Sequence, residues 1–315
     1  MLHGNRTREI LSRRIVDGRV SSDERVGILV DAIRRRHGAA VKAVILYGSY
    51  LRGERDTLLD FYVLLDSYKG VLPRFWHAWA NRALPPNVYY LHEPSGAGQA
   101  RAKYATVRLD CFEAAMSRLL DVSFWARFAQ PCLLVYSREL STRERIVDAL
   151  CGAAGTFMRH ALPMVPDSFT AKDLWAGGFG LTYGCELRAE QAGRGLNLFD
   201  ANAEHFTALT DALTRDGHLP MIPSRQASDY RNPTTPGERR RARGLWRLRR
   251  WWGKAFSAFR LFKAAATFDD PLDYVLWKIN RHAGVRVEPS ERQRRHPLTL
   301  GWGLLWRIYR QGGFR

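Results

Sequence analysis

This sequence has few cysteines and no long apolar runs. Its four cysteines among 315 residues, Cys111, Cys132, Cys151 and Cys185, lie far apart and form no Cys-x-x-Cys pair, which argues against a zinc site or a disulfide framework. No stretch approaches the roughly eighteen consecutive apolar residues of a membrane-spanning helix, and the N-terminus lacks an apolar signal segment. We therefore expect a reduced, intracellular protein that is neither secreted nor membrane-spanning.

Acidic residues are scarce in the C-terminal third. Residues 221–315 contain 21 Lys and Arg against 7 Asp and Glu, whereas residues 1–220 contain 28 against 24. The net charge of +18 is therefore concentrated at one end of the chain. Such a basic region indicates a polyanionic partner, either nucleic acid or acidic lipid.

The apolar residues that are present predict an α+β fold with a mixed sheet. Residues 24–37 have helical spacing and lead into a β-branched run that ends at Gly48, which predicts a helix followed by a strand. The further predicted elements are strands at 58–66 and 103–112 and helices at 112–126, at 141–162 and from 166 onward. The second half is therefore mainly helical.

Composition divides the chain into three predicted parts. Residues 1–140 form the α+β domain, residues 141–223 a helical domain, and residues 224–315 a basic C-terminal region. Within the last part, residues 224–243 are polar and contain Pro, Gly and runs of Arg, which predicts a linker or mobile loop.

The stretch VILYGSYLRGERDTLLDFYVLLD, residues 44–66, places a carboxylate in apolar surroundings. A buried Asp60 requires a hydrogen bond, an ion pair or a cation. The preceding Gly48-Ser49 turn presents backbone N–H groups and a hydroxyl, which suit a phosphate. In the nucleotidyltransferase superfamily this combination binds a nucleoside triphosphate and Mg²⁺, so Gly48 and Ser49 are predicted to bind phosphates and Asp60 the metal.

A second metal ligand is harder to identify. The superfamily usually has Asp-x-Asp, but Tyr62 occupies the second position here, and Asp66 lies about 20 Å along the strand from Asp60. Asp110 is the best candidate, because a neighbouring strand would bring it beside Asp60. Lys103, on the same segment as Asp110, is predicted to contact the triphosphate. The alternatives are an ordinary turn at Gly48-Ser49 and a solvated strand lysine at Lys103.

Several short segments resemble one family in the same order along the chain. YGSYLRG followed by LLDF, then KYATV and WARFAQP, are similar to segments of the mitochondrial phosphatidate cytidylyltransferases, which also lack the second Asp. The most specific segment is PDSFTAKDLWAGGFGLTYGCELR, and NLFDANAEHF follows it at the family's distance. The resemblance covers most of residues 44–210. Two departures are TYGCE in place of the family's Ser-Tyr-x-Gly-Asp and a loose match at VYYLHEPSGAG.

The resemblance implies a nucleotidyltransferase domain, a helical domain and a membrane-associating basic tail. It implies that CTP and phosphatidate give CDP-diacylglycerol and pyrophosphate with Mg²⁺ as cofactor. It also implies that Lys103 binds the triphosphate and Arg188 an anionic group of nucleotide or lipid. The alternative for Arg188 is a structural ion pair with Glu186 or Glu190.

Residues 238–263 combine basic and aromatic side chains. Helical steps of three or four separate Leu245, Leu248, Trp252, Phe256, Phe259 and Phe262, with Arg and Lys between them. This pattern is typical of a helix that lies in a membrane interface, and Trp302 and Trp306 are further candidate anchors. The alternatives are a core helix with a solvated basic face and a nucleic-acid surface.

The sequence thus predicts a phosphatidate cytidylyltransferase bound peripherally to a membrane. We expect it on the cytoplasmic face of a bacterial inner membrane, or on the matrix side if the source is eukaryotic. One alternative is nucleotidyl transfer to an RNA end or a small alcohol. Another is a non-catalytic nucleic-acid or membrane-binding protein, because Tyr62 replaces a usual metal ligand.

Overall fold

The computed structural model describes residues 5–16, 23–54, 57–68, 86–96, 98–186, 194–217, 222–223 and 229–267. The described helices are α1 (Asn5–Arg14), α2 (Glu24–His37), α3 (Leu109–Ala115), α4 (Ser123–Phe128), α5 (Leu140–Ala161), α6 (Ala171–Tyr183), α7 (Arg194–Asp200), α8 (Ala203–Arg215) and α9 (Pro236–Thr267). The strands are β1 (Val41–Tyr47), β2 (Leu59–Leu65), β3 (Asn87–Ser95), β4 (Gly98–Arg108), β5 (Leu133–Ser137), β6 (Ser168–Thr170), β7 (Ile222–Pro223) and β8 (Asp229–Arg231).

The main sheet is mixed, which confirms the α+β prediction. Its strand order is β3-β4-β2-β1-β5. Strands β2 and β4 run parallel, and the other neighbouring pairs in this order are antiparallel. In the parallel pair, Asp60 lies opposite Lys103 and Leu65 lies opposite Arg108. A smaller sheet with the order β6-β8-β7 joins the segments that precede α6 and α9.

Both faces of the main sheet are buried. On one face α2 packs mainly against β3 and β4 and also against β1 and β5, and its Leu29 and Ile33 belong to the apolar core there. On the other face α1 and the helices after β4 form one core, whose buried side chains extend from Leu11 to Trp246. This core includes residues from each of the three predicted parts of the chain.

Two helix starts depend on local hydrogen bonds. Thr170 and Asp173 form a reciprocal capping box at the start of α6, as the sequence predicted. The helix predicted over residues 112–126 is instead divided into α3 and α4, so this prediction is wrong. Asp121 accepts hydrogen bonds from the backbone N–H and the hydroxyl of Ser123, at 3.1 and 2.6 Å, and such side-chain bonds compete with a continuous helix.

The linker predicted over residues 224–243 is wrong from Asp229 onward. Asp229–Arg231 form β8, and the amide of buried Asn232 donates to the carbonyl oxygens of Leu162 and Val165 at 2.8 and 3.0 Å. Helix α9 begins immediately afterwards, because Thr235 and Glu238 cap it reciprocally and Pro236 suits a first helical turn.

Helix α9 is present as predicted. The side that it buries is not the predicted apolar stripe that contains Leu248 and Trp252. Trp246 and Arg249 are buried, whereas Leu248 and Trp252 are 48% and 39% exposed. The Arg249 guanidinium lies 4.6 Å from the Trp246 ring and 5.5 Å from the Trp125 ring, and its Nε donates to the Leu119 carbonyl. Arg249 therefore holds α9 to the core and does not face a membrane.

The Arg249 side chain carries an energetic penalty. Among the described residues its two terminal nitrogens find no hydrogen-bond partner, and burial lowers its pKa to about 10. It is still protonated at neutral pH, so the aromatic rings supply much of the compensation for its charge.

None of the helices in the described ranges combines the length and the apolar character that crossing a membrane requires. The four cysteines are free thiols, and all but Cys111 are buried.

Adjacent glycines in α6 provide a matched test of the helical core. A Cβ at Gly178 would lie 2.6 Å from Phe157, whose ring stacks on Trp175, whereas a Cβ at Gly177 would meet nothing within 4 Å. We expect Gly178→Ala to lower the free energy of unfolding by about 1–3 kcal/mol. Gly177→Ala should raise it by about 0.5–1 kcal/mol, since Ala favours a helix. Urea unfolding measures both, and equal effects would contradict the packing described.

Candidate functional site

The Gly48-Ser49 turn lies directly against Asp60. Gly48 follows β1 with φ 94° and ψ −157°, a combination that side chains rarely allow. A Cβ at this position would lie 2.9 Å from the Asp60 Oδ2. The Ser49 hydroxyl donates to Thr57 at 3.2 Å, and the Tyr50 hydroxyl donates to Asp23, the N-cap of α2. The turn is thereby fixed at both ends.

Asp60 is the first polar side chain of β2 and is half-buried. Tyr47 of β1 lies opposite it on one side and Lys103 of β4 on the other. Among the residues that the structure describes, none forms a hydrogen bond or an ion pair with its carboxylate. Burial raises the pKa of Asp60 above the ordinary carboxyl value, and the charges of Lys103, Arg127 and Arg52 offset part of this effect.

Arg127 is a site residue that the sequence analysis missed. It lies on α4, and its Nη1 donates to the Tyr62 hydroxyl at 2.9 Å. Its guanidinium is 5.4 Å from the Tyr47 ring and 5.8 Å from the Tyr62 ring. Burial disfavours its charge, but Tyr62, Tyr47 and Glu186 outweigh burial and raise its pKa. Tyr62, two residues after Asp60 on β2, therefore holds a cation here.

These residues line one cavity of about 280 Å³ between the sheet and the helices. Positive charge in its wall comes from Arg52, Lys103 and Arg127, and negative charge from Asp60 and Glu186. Helices α4, α6, α7 and α8, with the residues just after α4 and α7, close the side opposite the sheet. They contribute Ser123, Gln130, Thr182, Tyr183, Leu198, Asn202 and Phe206. An anion with several oxygens suits this wall, because basic side chains surround the carboxylate.

The structure brings together four of the predicted site residues and separates a fifth. Gly48, Ser49, Asp60 and Lys103 all line the cavity. Asp110 does not, so its predicted place beside Asp60 is wrong. Since β2 and β4 are parallel, Asp60 pairs with Lys103, and Asp110 lies seven residues farther along the chain, about 20 Å away at the other end of the sheet. There its carboxylate is paired with Arg108.

Arg188 lies outside the described residues, so its predicted role is neither supported nor opposed. Glu186, one of the two alternative partners predicted for Arg188, lies in the cavity wall near Arg127.

A magnesium ion would have few protein ligands at this site. Within the described ranges, no three carboxylate, imidazole or thiolate groups converge. The desolvated Asp60 carboxylate is nevertheless suited to a cation, since it has no other partner among those residues. Mg²⁺ commonly binds through one or two carboxylates together with substrate phosphates, so Asp60, with Glu186 in the same wall, fits an ion that arrives with a nucleotide.

The segments that resemble phosphatidate cytidylyltransferases meet at this cavity, although they are far apart in sequence. Each contributes at least one wall residue: Gly48 from YGSY, Asp60 from LLDF, Lys103 from KYATV, Arg127 from WARFAQP, Glu186 from TYGCE and Asn202 from NLFDANAEHF. The presence of Arg in WARFAQP was the signal that would have identified Arg127.

Comparison of the whole chain with protein-family models gave no match, and comparison with curated proteins gave none at a significant level. The resemblance therefore depends on the short segments and on their position around the cavity.

Two glycines with the same φ of 94° test the turn. In Gly48→Ala the new methyl group meets Asp60, whereas in Gly53→Ala it meets nothing within 4 Å. Both variants should lose about 1–3 kcal/mol of stability to backbone strain. If the turn binds phosphates as the sequence predicts, Gly48→Ala alone should lose binding of CTP with Mg²⁺ in calorimetry. Wild-type binding by Gly48→Ala would contradict the predicted binding of phosphates at this turn.

The raised pKa of Asp60 predicts a stability that depends on pH. Below its unfolded pKa the side chain is neutral in both states and has no effect. As the pH rises toward and through the folded pKa, ionisation favours the unfolded state. We therefore expect Asp60→Asn to be more stable than wild type at pH 7 and to lose this advantage near pH 4 in urea unfolding.

Asp66→Asn is the control, because Asp66 lies just after the other end of β2 and is exposed. It should show no such gain at pH 7. An Asp60→Asn variant that is less stable than wild type at pH 7 would show that the carboxylate is stabilised in the fold.

Proposed function

We propose that this protein is a nucleotidyltransferase that transfers a cytidylyl group from CTP to phosphatidate, giving CDP-diacylglycerol and pyrophosphate. One observation carries the proposal. The Gly48-Ser49 turn, the desolvated Asp60 carboxylate and the cations Arg52, Lys103 and Arg127 share one cavity, and the segments that resemble phosphatidate cytidylyltransferases supply most of these groups.

The cavity wall provides what a triphosphate requires. Arg127 is held rigidly by Tyr62 and by the flanking Tyr47 ring, and Lys103 approaches from the neighbouring strand. Pre-positioned cations of this kind stabilise phosphate charge without reorganising during the reaction. The backbone N–H groups of the Gly48-Ser49 turn add donors for phosphate oxygens.

A bound Mg²⁺ would be held by Asp60 together with phosphate oxygens, and it would neutralise charge on the departing pyrophosphate. The protein's own residues hold the triphosphate so that its α-phosphorus is open to attack. A phosphate oxygen of phosphatidate forms the new bond to that phosphorus, and the bond from the α-phosphorus to the oxygen bridging to the β-phosphorus breaks. Because the attacking oxygen is already anionic, the step requires no strong general base.

The basic helix α9 supports a lipid acceptor. Arg247, Arg250 and Lys254 lie on the same stretch as the exposed side chains of Leu248, Trp251 and Trp252. Basic and large apolar side chains on one exposed helix suit an anionic membrane surface. We place the protein peripherally at the inner membrane, on its cytoplasmic or matrix side.

Asp60→Asn tests the proposed chemistry. We expect turnover of labelled CTP with phosphatidate vesicles to fall by at least about a hundredfold, since the anionic ligand of the metal is lost. Asp110→Asn is the matched control and should remain close to wild type, because Asp110 lies away from the cavity. Near-normal turnover in Asp60→Asn would rule out the proposed site.

The same assay separates the acceptors. Labelled CDP-diacylglycerol supports the proposal, whereas label on added RNA or on a small alcohol would assign the cavity to another nucleotidyl transfer. No metal-dependent product from any of these acceptors would identify a non-catalytic nucleotidyltransferase-like protein.

A further inference from the structure

We propose that a narrow crevice between α9 and the turn preceding α4 is the acceptor site, where an anionic lipid enters beside the nucleotide. This inference rests on the proposed function and adds the position of the second substrate. The crevice is walled by Trp252, Gly253 and Phe256 of α9 and by Asp121, Val122, Ser123, Cys185 and Glu186 on the opposite side.

The crevice adjoins the proposed nucleotide cavity. Val122, Ser123 and Glu186 line both spaces, so a group that enters from α9 meets the cavity at these residues. The enclosed volume of the crevice is small, about 20 Å³. Most of a lipid bound there would therefore lie outside it, along the exposed side of α9, with only its polar end directed inward.

Gly253 brings α9 close enough to form this wall. A Cβ at Gly253 would lie 2.4 Å from the Cys185 carbonyl oxygen and 3.0 Å from the Cys185 Cβ. The helix backbone therefore contacts the turn that carries Glu186. The outer part of the crevice is formed by the Trp252 and Phe256 rings, which stack with their centroids 6.2 Å apart.

The chemistry of this wall favours an anionic lipid over a nucleic acid. Trp252 of this wall is 39% exposed, and Leu248, one turn before it on α9, is 48% exposed. Leu248 adds apolar surface that suits an acyl chain, and it offers no ring on which a base could stack. Of the two carboxylates in the wall, Asp121 is paired with Arg118. Arg250 and Lys254, whose charges act on Cys185 of the same wall, complement a phosphate head group.

Variants of two adjacent tryptophans distinguish lipid binding in the crevice from general membrane binding. Trp252 lines the crevice, whereas Trp251 is more exposed but does not. A water-soluble dihexanoyl phosphatidate, used below its micelle concentration, removes the membrane from the experiment. We expect Trp252→Ala to raise the KM for this lipid by about tenfold, since a large apolar contact is lost. The KM for CTP should stay unchanged, and Trp251→Ala should match wild type in both.

Each result distinguishes the two hypotheses. Equal KM values for the lipid in Trp252→Ala, Trp251→Ala and wild type would overturn the crevice but leave the proposed function intact. Wild-type protein that forms no CDP-dihexanoylglycerol would overturn the proposed function. In that case, calorimetric binding of dihexanoyl phosphatidate to wild type and to both variants tests the crevice directly.

Two further measurements complete the test. If Trp252→Ala melts at a lower temperature than wild type, Phe256→Ala replaces it, because Phe256 forms the same wall. A single-stranded RNA oligonucleotide that displaces dihexanoyl phosphatidate from wild type, and that binds less well to Trp252→Ala, would overturn the lipid as occupant.

Discussion

The burial of one carboxylate beneath a backbone turn is the constraint on which this structure depends. Asp60 lies on a strand between Tyr47 and Lys103, and the turn at Gly48 passes so close that no side chain fits there. Burial raises the pKa of Asp60, so the fold keeps this group at a cost. Such a cost is expected of a group that binds a cation or a ligand, and not of a group that stabilises the fold.

Tyr62, two residues after Asp60 on β2, shapes the surroundings of the carboxylate. Its hydroxyl fixes Arg127 at the cavity wall. The cavity therefore offers fixed positive charge at the position where the nucleotidyltransferase superfamily commonly has a further metal ligand. In the proposed reaction this suits an acceptor that is already anionic, because the wall must hold two groups of phosphates rather than activate a neutral hydroxyl.

Helix α9 lies between the proposed nucleotide cavity and the surface where the lipid acceptor is proposed to bind. Its buried side is fixed by Trp246 and by Arg249 between two tryptophan rings, while its exposed side presents apolar and basic residues. At Gly253 the helix contacts the turn that carries Glu186 into the cavity. A segment that composition alone presents as a basic tail is therefore part of the wall beside the proposed active site.

The sequence by itself determined the local features: the helix at residues 24–37, the strand that ends at Gly48, and the glycine turn that precedes Asp60. These depend on apolar periodicity and on glycine, which act over a few residues. Only the tertiary structure decided that Lys103 rather than Asp110 lies beside Asp60, because the parallel direction of β2 and β4 is a long-range property that periodicity does not encode. Arg127 and α9 lie at the site for the same reason, since the helical core brings segments that are distant in sequence against the end of the sheet that carries Asp60.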